Sequence, residues 1–150
     1  MKRFDRRAFA LAVCALALTG CAATGTKYSD MAASIPAAKS SEGRIYFFRS
    51  SSFVGAAIQP DIKLNGQVVG TSKPGGFFYV DRPAGNHTAS ASTETEKTAS
   101  FALAAGETKY LRTSPSFGLL VGRIVIEIES PEKAKAELAT LSHTGVMASK

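Results

Sequence analysis

Two histidines, His87 and His143, are the side chains in this 150-residue sequence best suited to acid–base chemistry or metal binding. A zinc or copper site needs further His, Cys or carboxylate ligands at short spacing, and neither histidine has them. His87 follows a Gly85-Asn86 turn, so we interpret it as a strand-entry residue whose ring hydrogen-bonds a turn carbonyl. A role as ligand or general base is the less favoured alternative. The sequence therefore predicts no metal site and no cofactor.

The sequence contains few residues in the patterns that hydrolytic active sites require. A Ser-His-Asp triad would need His87 oriented by Asp61 or Asp81, and no Gly-x-Ser-x-Gly elbow accompanies them. Glu127 and Glu129 lie two apart on one face of a predicted strand, whereas a glycosidase needs two acids across a cleft. We interpret this pair as solvated carboxylates. The prediction is a protein that is not an enzyme, and a cryptic hydrolase around His87 is the least favoured alternative.

The first twenty residues have the pattern of a secretory signal. Four basic residues in Met1–Arg7 precede the uncharged run Ala8–Leu18, and small residues follow. A positive n-region, a short apolar h-region and a small-residue cleavage site define such signals. A buried N-terminal helix is the alternative, but it would carry polar residues on one face. We therefore predict that residues 1–20 are a signal peptide.

The residues that close this signal, Leu18-Thr19-Gly20-Cys21, resemble the bacterial lipobox. The resemblance implies that the Cys21 thiol receives diacylglycerol, that cleavage occurs before Cys21, and that the new amino terminus is acylated, for example with palmitate. Several buried acyl chains anchor a protein stably where one chain is marginal. The membrane is thus the first expected partner, through the lipid on Cys21.

Two further resemblances concern the export pathway of the protein and its final membrane location. Asp5–Leu11 is similar to a weak twin-arginine export signal, although ordinary secretion remains favoured because nothing downstream suggests a cofactor. Ala22 resembles the residue that lets enterobacterial lipoproteins reach the outer membrane. The expected location is the cell envelope, on the inner leaflet of the outer membrane, facing the periplasm.

Composition narrows the function classes. The chain has 18 basic and 12 acidic residues; removing the four basic residues and one acidic residue of the signal leaves 14 and 11, a net charge of +3. Nucleic-acid binding loses most of its electrostatic support at that charge. No apolar run reaches the ~18 residues of a spanning helix, which excludes a polytopic membrane protein. Cys14 leaves with the signal, so no disulfide is expected.

Residues 21–42 form the predicted lipidated N-terminus and flexible tether. The stretch is rich in Ala, Ser, Thr and Lys, contains Pro36, and has no sustained periodicity. As a random coil it would span ~25 Å. The alternative is that Tyr28–Ile35 packs on the domain as a short helix.

From residue 43 to about 145 the pattern is that of a mainly β domain. Short alternating or apolar runs are separated by turn residues, and Asn65-Gly66 between alternating segments is a strong hairpin signal. The prediction is an antiparallel β-sandwich of about seven or eight short strands with one short C-terminal helix. Ser130 as N-cap and Pro131 at the first position begin that helix.

Consecutive aromatic residues mark two of the predicted strands. They are Tyr46, Phe47 and Phe48, and Phe77, Phe78 and Tyr79. Alternation along a strand must send these rings to both faces of a sheet. The favoured interpretation is that the helix or a second sheet covers them. The alternative is an exposed aromatic surface for a glycan or peptidoglycan fragment, comprising Tyr46, Phe53 and Tyr79, with residues 50–59 as its rim and the apolar segment 117–120 as another candidate loop.

The stretch from Gly43 to about Leu141 resembles a bacterial lipoprotein family known as domain of unknown function 2846, and its hairpin and turn pattern is similar to PEGA-like β-sandwich repeats. The matching segments are Arg44-Ile45-Tyr46-Phe47-Phe48-Arg49, Ile62-Lys63-Leu64-Asn65-Gly66, Val69-Gly70, Gly75-Gly76-Phe77-Phe78 and Arg82-Pro83-Ala84-Gly85-Asn86-His87. The resemblance implies an exported β domain and supplies no catalytic residues.

These observations together predict a non-catalytic, membrane-anchored envelope lipoprotein. Its domain would be a binding or structural module presented to the periplasm, with another envelope protein or a glycan as second partner and no nucleic acid.

Overall fold

A computed structural model of the chain describes residues 22–119 and 122–145. Within them the fold is mainly β, as predicted, with nine strands in two sheets and two short α-helices. The strands are β1 Glu42–Phe48, β2 Asp61–Leu64, β3 Gln67–Thr71, β4 Gly76–Pro83, β5 Gly85–Ser92, β6 Glu96–Leu103, β7 Thr108–Ser116, β8 Arg123–Ile128 and β9 Ser142–His143. The helices are α1 Tyr28–Met31, continued by the 3₁₀ turn Ala32–Ser34, and α2 Pro131–Leu138.

The two sheets have different topologies. The four-stranded sheet has the order β3-β2-β5-β6 and is antiparallel throughout. The five-stranded sheet has the order β8-β7-β1-β4-β9, and in it β1 is parallel to β7 and β4 is parallel to β9. These two pairs depart from the predicted antiparallel pattern. Parallel neighbours need a long crossover, and the excursion through the other sheet provides it for β1 and β7.

The five-stranded sheet is buried on both faces, which explains its consecutive aromatic residues. Ile45 and Phe47 face the four-stranded sheet and join the larger core cluster. Tyr46 and Phe48 point to the other face, into a second cluster that contains residues of both helices. The favoured interpretation, in which other elements cover the rings, is therefore the one found.

Helix α2 packs on this second face. Its buried residues are Ala134 and Leu138, and Leu141 in the following turn is buried beside them. Ser130 precedes the helix in an extended conformation and Pro131 is its first residue, as predicted, although the Ser130 side chain makes no capping hydrogen bond. No helix in the described ranges is long and apolar enough to cross a bilayer.

The segment before the sandwich is docked on it. The Ala23 amide donates to the Pro74 carbonyl at 3.1 Å, and the Tyr28 amide donates to the Leu141 carbonyl at 2.9 Å. Met31 is 4% exposed within the second core cluster. The structure thus adopts the short-helix alternative for Tyr28–Ile35, as α1 and the 3₁₀ turn that continues it. Cys21 lies outside the described residues, as does the predicted signal before it with Leu18, Thr19 and Gly20.

Candidate functional site

A buried arginine organises the loop that follows β1. Arg49 is 1% exposed, and its guanidinium donates to the carbonyls of Ile58 at 2.6 Å, Gly55 at 2.7 Å and Ser72 at 3.2 Å. None of the ion pairs among the described residues involves Arg49. Burial lowers the pKa of this guanidinium, because the charged form loses hydration. Backbone carbonyls, and not a carboxylate, therefore compensate the charge and fix the loop.

The same loop packs closely against the end of β7. Gly55 has φ +68°, and a Cβ placed on it would lie 2.6 Å from the Cβ of Pro115. Only glycine satisfies both the left-handed conformation and this close approach. The 49–60 loop shares a groove with residues 115–118 and Gly122.

Side chains of these two segments form an exposed apolar group. Phe53 is 98% exposed, Phe117 93% and Leu119 91%, and Val54 is also exposed. We call this group, Phe53, Val54, Phe117 and Leu119, the apolar end. The sequence indicates Phe53 and the 117–120 segment as loop candidates, and in the structure Val54, next to Phe53, and Phe117 line the same groove.

The docked N-terminal segment reaches the sheet at the same end. β1 and β7 finish there, β4 and β8 start there, and β9 starts opposite Gly76. Pro74, which accepts the Ala23 amide, immediately precedes Gly75 and β4. A Cβ on Gly75 would lie 3.5 Å from Ser51, in the 49–60 loop. The first described residues and the apolar end therefore belong to one end of the five-stranded sheet.

The predicted aromatic surface is not assembled. Tyr46 is 6% exposed and stacks on Tyr110, with ring centroids 5.5 Å apart, and burial raises its pKa to about 12. Tyr79 lies in the same cluster, with the Arg44 guanidinium 4.6 Å from its ring centre. Phe53 is on the loop at the sheet end. A glycan site built from Tyr46, Phe53 and Tyr79 therefore lacks an exposed Tyr46 and a common surface.

Arg44 beside this cluster is held by a bidentate ion pair. Its Nε and one terminal nitrogen each donate to Asp81 at 2.7 Å. The hydrogen bonds to Asp81 raise the pKa of Arg44 further above its ordinary value. The pair joins β1 to β4 across the sheet, so Asp81 is committed to a structural contact.

His87 has the structural role predicted for it. The Asn65 Oδ1 accepts the Thr88 amide at 2.9 Å, which orients the Asn65 side-chain amide so that its Nδ2 donates to His87 Nδ1 at 2.9 Å. The proton is then on Nε2, which donates to the Pro83 carbonyl at 2.9 Å. Both ring nitrogens are used to join the β2–β3 hairpin and the turn before β5.

The carboxylates considered for the triad and for glycoside hydrolysis are placed elsewhere. Asp61 accepts a hydrogen bond from Thr71 at 3.1 Å. Glu127 is exposed in register with Arg112, and Glu129 lies 3.8 Å from Arg112 and 3.9 Å from Lys133. The structure therefore assembles neither the Ser-His-Asp triad nor the pair of acids that a glycosidase needs. Over residues 22–119 and 122–145, no group of three or more His, Cys, Asp or Glu side chains could hold a metal ion.

Arg112 fastens α2 to the sheet. One of its nitrogens is 2.9 Å from a carboxylate oxygen of Glu137 and donates to the Ser50 hydroxyl at 2.8 Å. The Ser50 hydroxyl also donates to Glu137. Because Ser50 follows Arg49 directly, this contact joins the helix to the start of the 49–60 loop.

His143 predicts a pH-dependent stability. The ring packs against Phe77 and Tyr79, with centroids 5.3 and 5.9 Å apart, and burial lowers its pKa below the usual value of about 6.5. The unfolded chain therefore takes up this proton at a higher pH than the folded chain. We expect the His143 contribution to be complete above about pH 6.5 and to fall as the pH drops towards the lowered pKa.

Urea unfolding at several pH values from 7.5 to 5 would measure this decline in the free energy of unfolding. His143→Phe should have a shallower slope than the wild type, whereas Ser142→Ala in the same strand should keep the wild-type slope. Equal slopes for the wild type and His143→Phe would contradict the assignment.

Comparison with known proteins gives a family without an assigned activity. A family model described as "Protein of unknown function (DUF2846)" matches residues 39–123, a range that includes β1 to β7 and both segments of the apolar end. A protein of Haemophilus influenzae described as "Uncharacterized protein" is 27% identical over 146 residues, covering 95% of this chain and 86% of that protein. No solved structure matches.

Proposed function

We propose that this chain, which belongs to the family described as "Protein of unknown function (DUF2846)", is a lipid-anchored protein of the bacterial envelope that acts by contact and not by catalysis. The lipid is on Cys21, and the domain is a binding or structural module facing the periplasm. Its second partner is another envelope protein or a glycan.

One observation carries the proposal: the chain enters the domain in a fixed place immediately after the lipobox-like residues. Ala23, two residues after Cys21, is hydrogen-bonded to Pro74, and α1 is packed in the core. This supports an attachment point that holds the domain in one orientation at a surface.

The use of the polar residues supports a non-catalytic role. His87 bonds Asn65 and Pro83 through both ring nitrogens, and Asp81 forms the ion pair with Arg44. Side chains committed to such contacts are not free to orient a nucleophile or transfer a proton.

The proposal includes the membrane in which the protein resides. Ala22, where an Asp would resemble a signal for retention in the inner membrane, favours the outer membrane. We expect fractionation of wild-type cells to place the protein in the outer membrane, and Ala22→Asp to move it to the inner membrane fraction. An unchanged distribution would contradict this address.

Replacement of Cys21 tests the anchor. We expect the Cys21→Ala variant to lose palmitate incorporation and the added acyl mass, because the acceptor sulfur is absent, and to leave the membrane fraction. Cys14→Ala is the matched control, since that cysteine lies within the predicted signal and should leave both properties unchanged. An unmodified Cys21 in protein purified from its native membranes would refute the proposal.

A further inference from the structure

We infer that the apolar end rests on the bilayer surface, with Phe53, Phe117 and Leu119 at the boundary between headgroups and acyl chains. The inference depends on the proposed lipid at Cys21. It adds which face of the domain meets the membrane.

The first support is the clustering of exposed apolar side chains. Six large hydrophobic residues are exposed in the described part of the chain, and four of them form the apolar end. Single exposed apolar residues are ordinary on protein surfaces, but exposed apolar residues on two segments that line one groove indicate an interaction site. Of the other two, Val68 lies near the Asn65-Gly66 turn at the opposite end of the four-stranded sheet, and Ile128 lies in register with Leu111, midway along β7.

The second support is the position at which the chain leaves the described residues. Ala23 is bonded beside the start of β4, and the sheet order then runs through β1 to β7 and β8. At ~4.8 Å between neighbouring strands, β4 and β8 lie about 14 Å apart across the sheet. β7 continues four residues beyond Arg112, the partner of Phe48, which places Ser116 a further ~13 Å along the strand direction.

Covalent geometry then limits how far this end can be from the lipid. Ala23 is two positions after Cys21, and an extended chain covers at most ~3.6 Å per residue, or ~7 Å in all. A lipid on Cys21 therefore keeps this end of the sheet near the headgroups. Because the lipid anchor itself places the apolar end next to the bilayer, we favour the bilayer over a protein as the binding partner of this surface.

The third support is that the loop is held ready for insertion. The hydrogen bonds from Arg49 to Gly55 and Ile58 fix the backbone that directly follows the exposed Phe53 and Val54, so little ordering is needed on contact. Phe and Leu are residues that enter the interfacial region of bilayers.

Charged side chains flank the apolar end. Lys73 is exposed beside Pro74, on the side of the attachment, where a cation suits anionic headgroups. Asp61 is exposed at the matching end of the four-stranded sheet, and Glu94, at the β5–β6 turn, accepts the Leu119 amide at 3.0 Å.

Site-directed fluorescence on the full, cell-processed protein tests the inference. Phe53→Cys and Phe117→Cys would be labelled with an environment-sensitive dye, with Val68→Cys and Ile128→Cys as controls at exposed apolar positions outside the apolar end. A thioether at Cys21 leaves the introduced cysteine as the labelling site. Each protein would be reconstituted in vesicles of phosphatidylethanolamine and phosphatidylglycerol carrying nitroxides on the acyl chains.

We expect the labels at 53 and 117 to shift their emission to shorter wavelength and to lose intensity through the nitroxides, while those at 68 and 128 stay unchanged. Equal, unquenched emission at all four positions with an acylated Cys21 would overturn the inference and leave the proposed function standing. Crosslinking of positions 53 and 117 to a second protein, with no quenching of their labels by the nitroxides, would have the same consequence. A bare Cys21 in the mass spectrum would overturn both.

Discussion

Arg49→Met is expected to lower the free energy of unfolding by about 3 kcal/mol or more. The methionine matches the length of the arginine stem but leaves the carbonyls of Gly55, Ile58 and Ser72 without their donor, and each buried unsatisfied group costs ~1–3 kcal/mol. Removing the buried charge recovers part of this cost, because the guanidinium no longer has to be desolvated. With domain stabilities of ~5–15 kcal/mol, a loss of this size is a large fraction of the total.

Two measurements would separate this effect from general destabilisation. Urea unfolding gives the free energy, and hydrogen exchange reports the Ala56 and Ile58 amides, which bond to Phe53 and Gly55 within the loop. Arg82→Met is the matched control, since Arg82 is only partly buried and its side-chain hydrogen bond is to the carbonyl of the adjacent Asp81. That variant should stay within ~0.5 kcal/mol of the wild type. Unchanged loop exchange in Arg49→Met would contradict the role given to Arg49.

Local chemistry made several elements predictable. Asn65 and Gly66 have φ values of +51° and +83°, and the two-residue hairpin forms where the Asn-Gly pair predicted it. Pro131 begins α2, because its fixed φ and missing amide hydrogen suit the first turn of a helix. The hydrogen bond from His87 to a turn carbonyl was likewise predictable, because Gly85 and Asn86 place a turn directly before the ring.

The remaining features depend on contacts between distant residues. The parallel pairing of β1 with β7 is decided by packing across some sixty residues, which no window of alternating residues contains. Tyr46 could be placed on a strand, but whether α1 and α2 cover it is a tertiary matter. Nothing in the sequence indicates that Arg49 is buried, because an arginine at the end of an aromatic strand is typical of a solvent-exposed boundary. Its burial is favourable only because the carbonyls of the following loop fold back and accept its hydrogen bonds.

The apolar end is likewise a feature that the sequence alone does not predict, because it depends on contacts between distant residues. Phe53 and Phe117 each stand in a segment without regular pattern, 64 positions apart in the chain. Their proximity follows from β1 and β7 being parallel neighbours, since parallel strands finish at the same edge of a sheet. One of the two parallel pairings that the sequence did not predict therefore creates the surface on which the membrane inference depends.

Met31→Ala is expected to release the N-terminal segment from the domain. Met31 is almost fully buried in the second cluster, and such truncations cost ~2–5 kcal/mol. The segment is also held by the Tyr28 ring on Phe77 at 5.4 Å and on Tyr46 at 6.0 Å, and by backbone hydrogen bonds of Ala23, Thr26 and Tyr28. Met31 is its most buried side chain, so we expect the loss to appear as local undocking before global unfolding. Once free, the fourteen residues 22–35 would span about 20 Å, which is enough to lift the domain from its attachment.

Hydrogen exchange of the Ala23 and Tyr28 amides would measure the undocking, and quenching of the label at position 53 would measure its consequence at the membrane. In Met31→Ala we expect faster exchange of both amides and weaker quenching, with Cys21 still acylated, because the anchor is intact and only the orientation is lost. Val68→Ala, which trims an exposed side chain towards the opposite end, should change neither. Rapid exchange of both amides already in the wild type would show that docking does not orient the domain, and quenching unchanged after undocking would show that the apolar end finds the bilayer without it.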